Sequence, residues 1–194
     1  MNRTQLEHII RVASLISSDI EIVVVGSQSI HALDMKLPPI AYLSQEADVY
    51  PRNHPELADD VDGAIGELSQ FHMTHGYYAH GVGPETAVLP KGWEERLVRL
   101  SSPATGGATG LCLDVHDLVL SKYAANREKD LAFNAAVIRH GCVIKKKLLT
   151  LLRSLPVDAS TTTRIRGRIK ADFEAANPKR PGSRSTGAAK RPKP

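Results

Sequence analysis

The chain has 194 residues, 42% hydrophobic and 24% charged, with 25 Lys and Arg against 21 Asp and Glu. That length buries one core with a small extension, and the lack of any apolar run near the roughly 20 residues that span a bilayer excludes a helical membrane span and predicts a soluble chain. Cys112 and Cys142 lie far apart and form no Cys-x-x-Cys pair, which excludes a disulfide framework and predicts a reduced, cytoplasmic protein.

An amphipathic pattern with Leu6, Ile9, Ile10 and Ala13 on one side predicts a first helix over Thr4 to Ser17 and does not fit a signal peptide. The β-branched run Ile22 to Val25 predicts a buried strand over Ile20 to Val25, entering a Gly26-Ser27 turn and a helix from Gln28 to Leu33. Pro38-Pro39 closes that unit. A second strand holds Glu46 to Tyr50. Pro55 to Phe71 predicts an acidic helix, His72 to Val82 an extended segment, and Pro84 to Pro90 a loop or short strand. After an ordered turn at Lys91 to Arg96 comes a strand over Leu97 to Leu100. Ser101 to Gly110 predicts a linker, followed by Leu111-Cys112-Leu113.

Asp114 is placed to cap a helix running to about His140, which Gly141 would stop. A helix over Val143 to Leu155 ends at Pro156, and Asp158 starts a last basic helix reaching Ala176. From Asn177 the composition turns to Pro, Gly, Ser, Lys and Arg, predicting a disordered tail.

Charge is unevenly spread. Residues 1–120 hold 7 basic and 16 acidic side chains, residues 121–176 hold 12 and 5, and residues 177–194 hold 6 and none. An acidic first part beside a basic second part suits metal-chelating carboxylates next to a polyanion track, so nucleic acid is a plausible substrate. Solvated helix faces account for such charges equally well.

In an extended Glu46-Ala47-Asp48 segment both carboxylates point one way and Ala47 points the other. Paired carboxylates suit Mg²⁺, which takes oxygen ligands and shares them with substrate phosphates. The backbone N–H groups at Gly26-Ser27 are placed to hold phosphate. On a helix from Asp117 to His140, Lys122, Asn126 and Lys129 recur at spacings of four and three, which places them on one face. His72, His75 and His80 match neither a strand face nor a common zinc spacing and read as structural.

Gly26-Ser27, then Ser44-Gln45-Glu46-Ala47-Asp48-Val49, then Lys122-Tyr123-Ala124-Ala125-Asn126-Arg127-Glu128-Lys129-Asp130 together resemble the signature of bacterial nucleotidyltransferase-like toxins, the AbiE and Men type of toxin–antitoxin system. The resemblance spans roughly Glu21 to His140. It implies an α+β fold, a mixed sheet flanked by helices with a C-terminal helical extension. Residues 1–117 would form the nucleotidyltransferase-like core, residues 118–176 a basic helical part completing the site, and residues 177–194 the tail.

The resemblance also implies transfer of a nucleoside monophosphate from an NTP to RNA, tRNA foremost, with Mg²⁺ as cofactor and translation blocked. Glu46, Asp48, Lys122 and Asp130 take the catalytic positions, with Glu46 and Asp48 as metal ligands. Gly26, Ser27, Ser44, Asn126, Arg127 and Lys129 take nucleotide-binding positions. A cognate antitoxin is an implied partner, and Ser44 matches a hydroxyl that such a partner phosphorylates in some members. The chain departs from the pattern in having Glu46 where Asp is commoner and Ser27 where Gly or Thr is frequent. No third acidic ligand is evident, and Asp114, Asp117 and Asp130 compete for that place. Alternatives are a transferase that modifies protein, and a catalytically degenerate nucleotide- or RNA-binding member of the same fold.

Overall fold

The structure is a computed structural model and describes residues 1–177. All of the expected tail beyond Asn177 lies outside the described residues. Five strands, β1 (Glu21–Val24), β2 (Glu46–Pro51), β3 (Tyr78–Gly81), β4 (Val98–Leu100) and β5 (Thr109–Cys112), form one sheet in the order β3-β2-β1-β5-β4. β1 is parallel to β5 and antiparallel to β2, β2 is parallel to β3, and β4 is antiparallel to β5. Among the described residues seven α-helices accompany the sheet: α1 (Arg3–Ser17), α2 (Ala58–Ile65), α3 (Gln70–His75), α4 (Val115–Ala125), α5 (Glu128–Arg139), α6 (Lys145–Leu151) and α7 (Ala159–Ala176). This is the α+β class, a mixed sheet flanked by helices with helices at the C-terminus.

β1 is central because its side chains are apolar on both faces. Ile22 and Val24 meet Leu6, Ile9, Ile10 and Ala13 of α1 and Val61 of α2 on one face. Val23 and Val25, with Tyr50, Leu111 and Leu113, meet Leu118, Phe133, Val137, Leu148 and Ile165 of the C-terminal helices on the other. Burying each large aliphatic side chain contributes about 1.5–3 kcal/mol. Local signals set the helix starts. Asn2 and Gln5 exchange backbone-to-side-chain hydrogen bonds in a capping box at α1, Asp114 accepts the His116 N–H at α4 (2.8 Å), and Asp158 accepts the Thr161 N–H at α7 (2.8 Å).

The single helix expected from Asp117 to His140 is two helices. Asn126 takes the left-handed conformation (φ 56°) and its N–H closes on the Lys122 carbonyl; Asn tolerates that region better than most residues, and Arg127 leaves it extended before α5 begins. Lys122 and Lys129 therefore sit on different helices, and spacing does not place Lys122, Asn126 and Lys129 on one face. The expected Pro55–Phe71 helix also divides, at Gly66 to Ser69, where Gly66 is extended and Leu68 has φ 62°. Ser69 caps α3, so His72 to His75 are helical and only Tyr78 to Gly81 are extended. Gln28 to Leu33 is a short 3-10 helix, Ser27–Ala32, and α6 begins at Lys145 and tightens into a 3-10 turn, Leu152–Ser154. Gly141, at φ 78°, ends the α5 segment as expected.

Candidate active site

The period-two alternation of a strand places Glu46, Asp48 and Tyr50 on one face of β2 and Ala47 and Val49, both fully buried, on the other. Tyr50 belongs to the core cluster that includes the C-terminal helices, so Glu46 and Asp48 lie on the same side of the sheet as those helices, one strand beyond β1. The Val25 N–H donates to the Asp48 carbonyl (3.0 Å), which brings the Gly26-Ser27 turn beside the carboxylate. Contact is close enough that a Cβ on Gly26 would overlap the Asp48 carboxyl. Ser29 Oγ donates to the carbonyls of Val24 and Gly26 and fixes the turn, whereas Ser27 Oγ has no hydrogen-bond partner among the described residues.

β3 brings to the carboxylates His80, a residue whose spacing reads as structural in the sequence. Asp48 pairs with His80 and Glu46 with Tyr78 across the parallel β2–β3 ladder, so all four side chains share a face. His80 Nδ1 lies 3.2 Å from Asp48 Oδ1 and 3.4 Å from Glu46 Oε1, and the Tyr78 hydroxyl donates to Glu46 Oε2 at 3.2 Å. One donor atom from each of Glu46, Asp48 and His80 falls within 4.8 Å of the others. His80 was legible only through register: spacing within the His72–His80 stretch carries no signal, because α3 ends between His75 and Tyr78.

The electrostatics match a cation site. Burial first, and then the Glu46 charge, raise the Asp48 carboxyl above its ordinary value. His80 is raised too: burial opposes its charge, but the hydrogen bond to Asp48 and the charges of Asp48 and Glu46 outweigh it. Burial and the Glu46 carboxylate push the Tyr78 phenol up to about 12. Two crowded carboxylates thus hold a proton or an imidazolium nearby, and a divalent cation relieves the same repulsion. The donor set of two carboxylates and one imidazole fits such an ion.

The three aspartates considered as a further ligand are engaged elsewhere. Asp114 Oδ1 meets His116 Nδ1 and Asp114 Oδ2 meets Lys147 Nζ (2.8 and 2.9 Å). Fully buried Asp117 holds Arg96 through two 2.8 Å bonds, tying the loop before β4 to α4. Asp130, also buried, accepts Lys122 Nζ at 2.8 Å, and Arg127 Nε stands 3.5 Å from its other oxygen. The Lys122–Asp130 pair bridges α4 and α5, in the helical layer on the same side of the sheet as the carboxylates. Asn126 Oδ1 accepts Arg164 Nη1 (2.6 Å), and Lys129 is exposed. Ser44 Oγ bonds the backbone of Glu46 and steadies the start of β2.

A family model described as a nucleotidyltransferase of unknown function matches residues 4–176. The chain belongs to this nucleotidyltransferase family, DUF6036. No curated protein and no solved structure matches the chain. Membership carries a nucleotide as substrate and transfer as the reaction class. Among the described residues no helix is long and apolar enough to cross a membrane.

Proposed function

We propose that this family member is a Mg²⁺-dependent toxin that transfers a nucleoside monophosphate from an NTP to an RNA acceptor, tRNA foremost, and so blocks translation. The supporting observation is the carboxylate pair Glu46 and Asp48, set against the Gly26-Ser27 turn on the same side of the sheet as the basic C-terminal helices. A bound divalent cation supplies charge neutralisation along the triphosphate and alignment of the attacking and leaving oxygens.

The chain's own groups do the rest. Glu46 and Asp48 hold the ion, with His80 as a third donor. The backbone N–H groups of the Gly26-Ser27 turn and the unpartnered Ser27 hydroxyl receive the outer phosphates. Residues 118–176 complete the site: Lys122, paired with Asp130, supplies a positive charge for the nucleotide, and Arg127, two-thirds exposed, offers its fork to a phosphate. Asn126 and Lys129 flank them at the bend between α4 and α5. Ser44, at the mouth of β2, is where an antitoxin would act by phosphorylation, since a phosphate there would crowd Glu46.

The test is incubation of the purified protein with each α-³²P-labelled NTP, Mg²⁺ and total tRNA, beside Asp48→Ala. Label in RNA that disappears in the variant is the expected result. Label in protein would transfer the reading to a protein-modifying enzyme, and no label with any NTP would mark a degenerate member.

A further inference from the structure

The run Lys145-Lys146-Lys147 opens α6, and its three members have different fates. Lys147 turns inward to Asp114 (2.9 Å), and the Ile144 N–H just before α6 donates to His116 Nε2 (2.9 Å). These two bonds fasten the start of α6 to the start of α4. Lys145 and Lys146 face outward and, with Leu149, Thr150 and Arg153, line an open groove of about 440 Å³. Lys146 and Arg153 are exposed and form no ion pair among the described residues, while Lys145 Nζ lies over the Phe173 ring of α7 at 5.7 Å. On α7, the exposed Arg166 and Lys170 share the helical side of Phe173, the residue that meets Lys145. Residues 178–194 carry 6 basic side chains and no acidic one, so their side chains cannot neutralise this patch.

Placement gives the patch a direction. Asp48 bonds Val25 through its carbonyl, Val24 accepts the Leu113 N–H, and Asp114 follows Leu113, so Asp114 and the carboxylates stand at the same end of the sheet. Two strand spacings, about 10 Å, separate the two levels. Lys147 ties the first turn of α6 to that end of the sheet, and Lys145 and Lys146 of the groove stand in the same turn. A few nucleotides of a polyanion are long enough to lie in the groove and present a terminal hydroxyl to Asp48, with Lys and Arg on the phosphates and apolar Leu149 beneath a base or ribose.

We propose that the α6 groove of Lys145, Lys146 and Arg153 binds the phosphate backbone of the RNA acceptor and leads its end to Glu46 and Asp48. The proposal rests on the RNA-acceptor reading above. An acidic protein segment would meet the same charges but has no need to reach the transfer site.

The experiment measures fluorescence anisotropy of labelled tRNA with the full chain from 50 to 200 mM salt, beside the K145E/K146E/R153E variant, with cation binding to both proteins followed by calorimetry. The tail is present in both, so its contribution cancels. The expected result is at least about tenfold weaker RNA binding by the variant, with a salt slope shallower by about 2 to 3 and unchanged cation binding. Equal RNA binding by the two proteins would overturn the groove while leaving the RNA reading intact. No RNA binding by the natural sequence would overturn both, and binding of a poly-glutamate peptide in its place would assign the groove to a protein partner.

Discussion

The Asp48 carboxyl occupies the space that a side chain on Gly26 would need. The backbone at Gly26 (φ −85°) is one any residue adopts, so the requirement for Gly comes from the carboxylate alone. Gly26→Ala should therefore fold and still push Asp48 from its position. A displacement of about 1 Å at a reacting centre costs on the order of 100-fold in rate. Transfer activity should fall by about that factor while the thermal midpoint moves little. An unchanged activity would show that Asp48 does not need this position.

His80 gives the proposed cation site a nitrogen donor, and imidazole favours transition metals over Mg²⁺. Titration calorimetry should show Mn²⁺ binding more tightly than Mg²⁺. His80→Ala should weaken Mn²⁺ by at least about tenfold and narrow the difference between the ions, whereas Asp48→Asn should weaken both. If His80→Ala leaves Mn²⁺ affinity unaltered, the imidazole is only a hydrogen-bond partner of the carboxylates.

Much of this arrangement could be read before any coordinates. Strand β2 and its two-sided alternation followed from Glu46 to Tyr50, the helix caps at Asp114 and Asp158 from single side chains, and the stop at Gly141 from a residue that favours positive φ. Those features are decided within a few residues of where they are seen. What escaped depends on distant partners. His80 joins the site only because β3 pairs in register with β2, and nothing near residue 80 encodes that pairing. The break at Asn126 was hidden because the apolar pattern continues across it, from Leu118 and Val119 on α4 to Phe133 and Val137 on α5. Asp114, Asp117 and Asp130 looked equivalent as letters, and only their ion pairs with Lys147, Arg96 and Lys122 separate them from a ligand role.

Lys122 has a structural duty beside its proposed catalytic one. Its partner Asp130 is buried, and removing one member of a buried ion pair costs about 3–5 kcal/mol because a charge is left without compensation. Lys122→Ala should lower stability by that order in urea unfolding. The double variant Lys122→Met with Asp130→Leu should recover most of it. Transfer activity should stay lost in the double variant; recovery of activity along with stability would mean that the pair serves the fold alone.

Asp114 links β5, α4 and α6, and the charged or titratable groups facing it are His116, Lys147 and, farther off, Arg96. Burial alone would raise its carboxyl, yet the hydrogen bonds from His116 and Lys147 prevail and hold it well below the usual carboxylate range. A carboxyl whose folded value is depressed contributes stability that is present above its unfolded value, near 3.8, and is lost as pH falls below it. The contribution should be of order 1–3 kcal/mol. Asn is as good a helix cap as Asp, so Asp114→Asn isolates the charge. The variant should lose less stability than the natural sequence between pH 5 and pH 2. Parallel curves would assign the acid sensitivity to other carboxylates.

Gln28 follows the Gly26-Ser27 turn and is fully buried, and neither its amide oxygen nor its amide nitrogen has a partner among the described residues. A buried amide left unpaired costs about 1–3 kcal/mol, and an apolar group of the same shape removes that cost. Gln28→Leu should therefore raise stability by about 1 kcal/mol or more, read as a higher denaturation midpoint with an unchanged slope. Such a cost at the turn proposed to hold phosphate is what a functional site retains for its ligand. NTP binding by the stabilised variant decides between the two roles. Weaker binding despite greater stability would place the Gln28 amide in the nucleotide site, and undiminished binding would leave it an unpaired group that only burdens the fold.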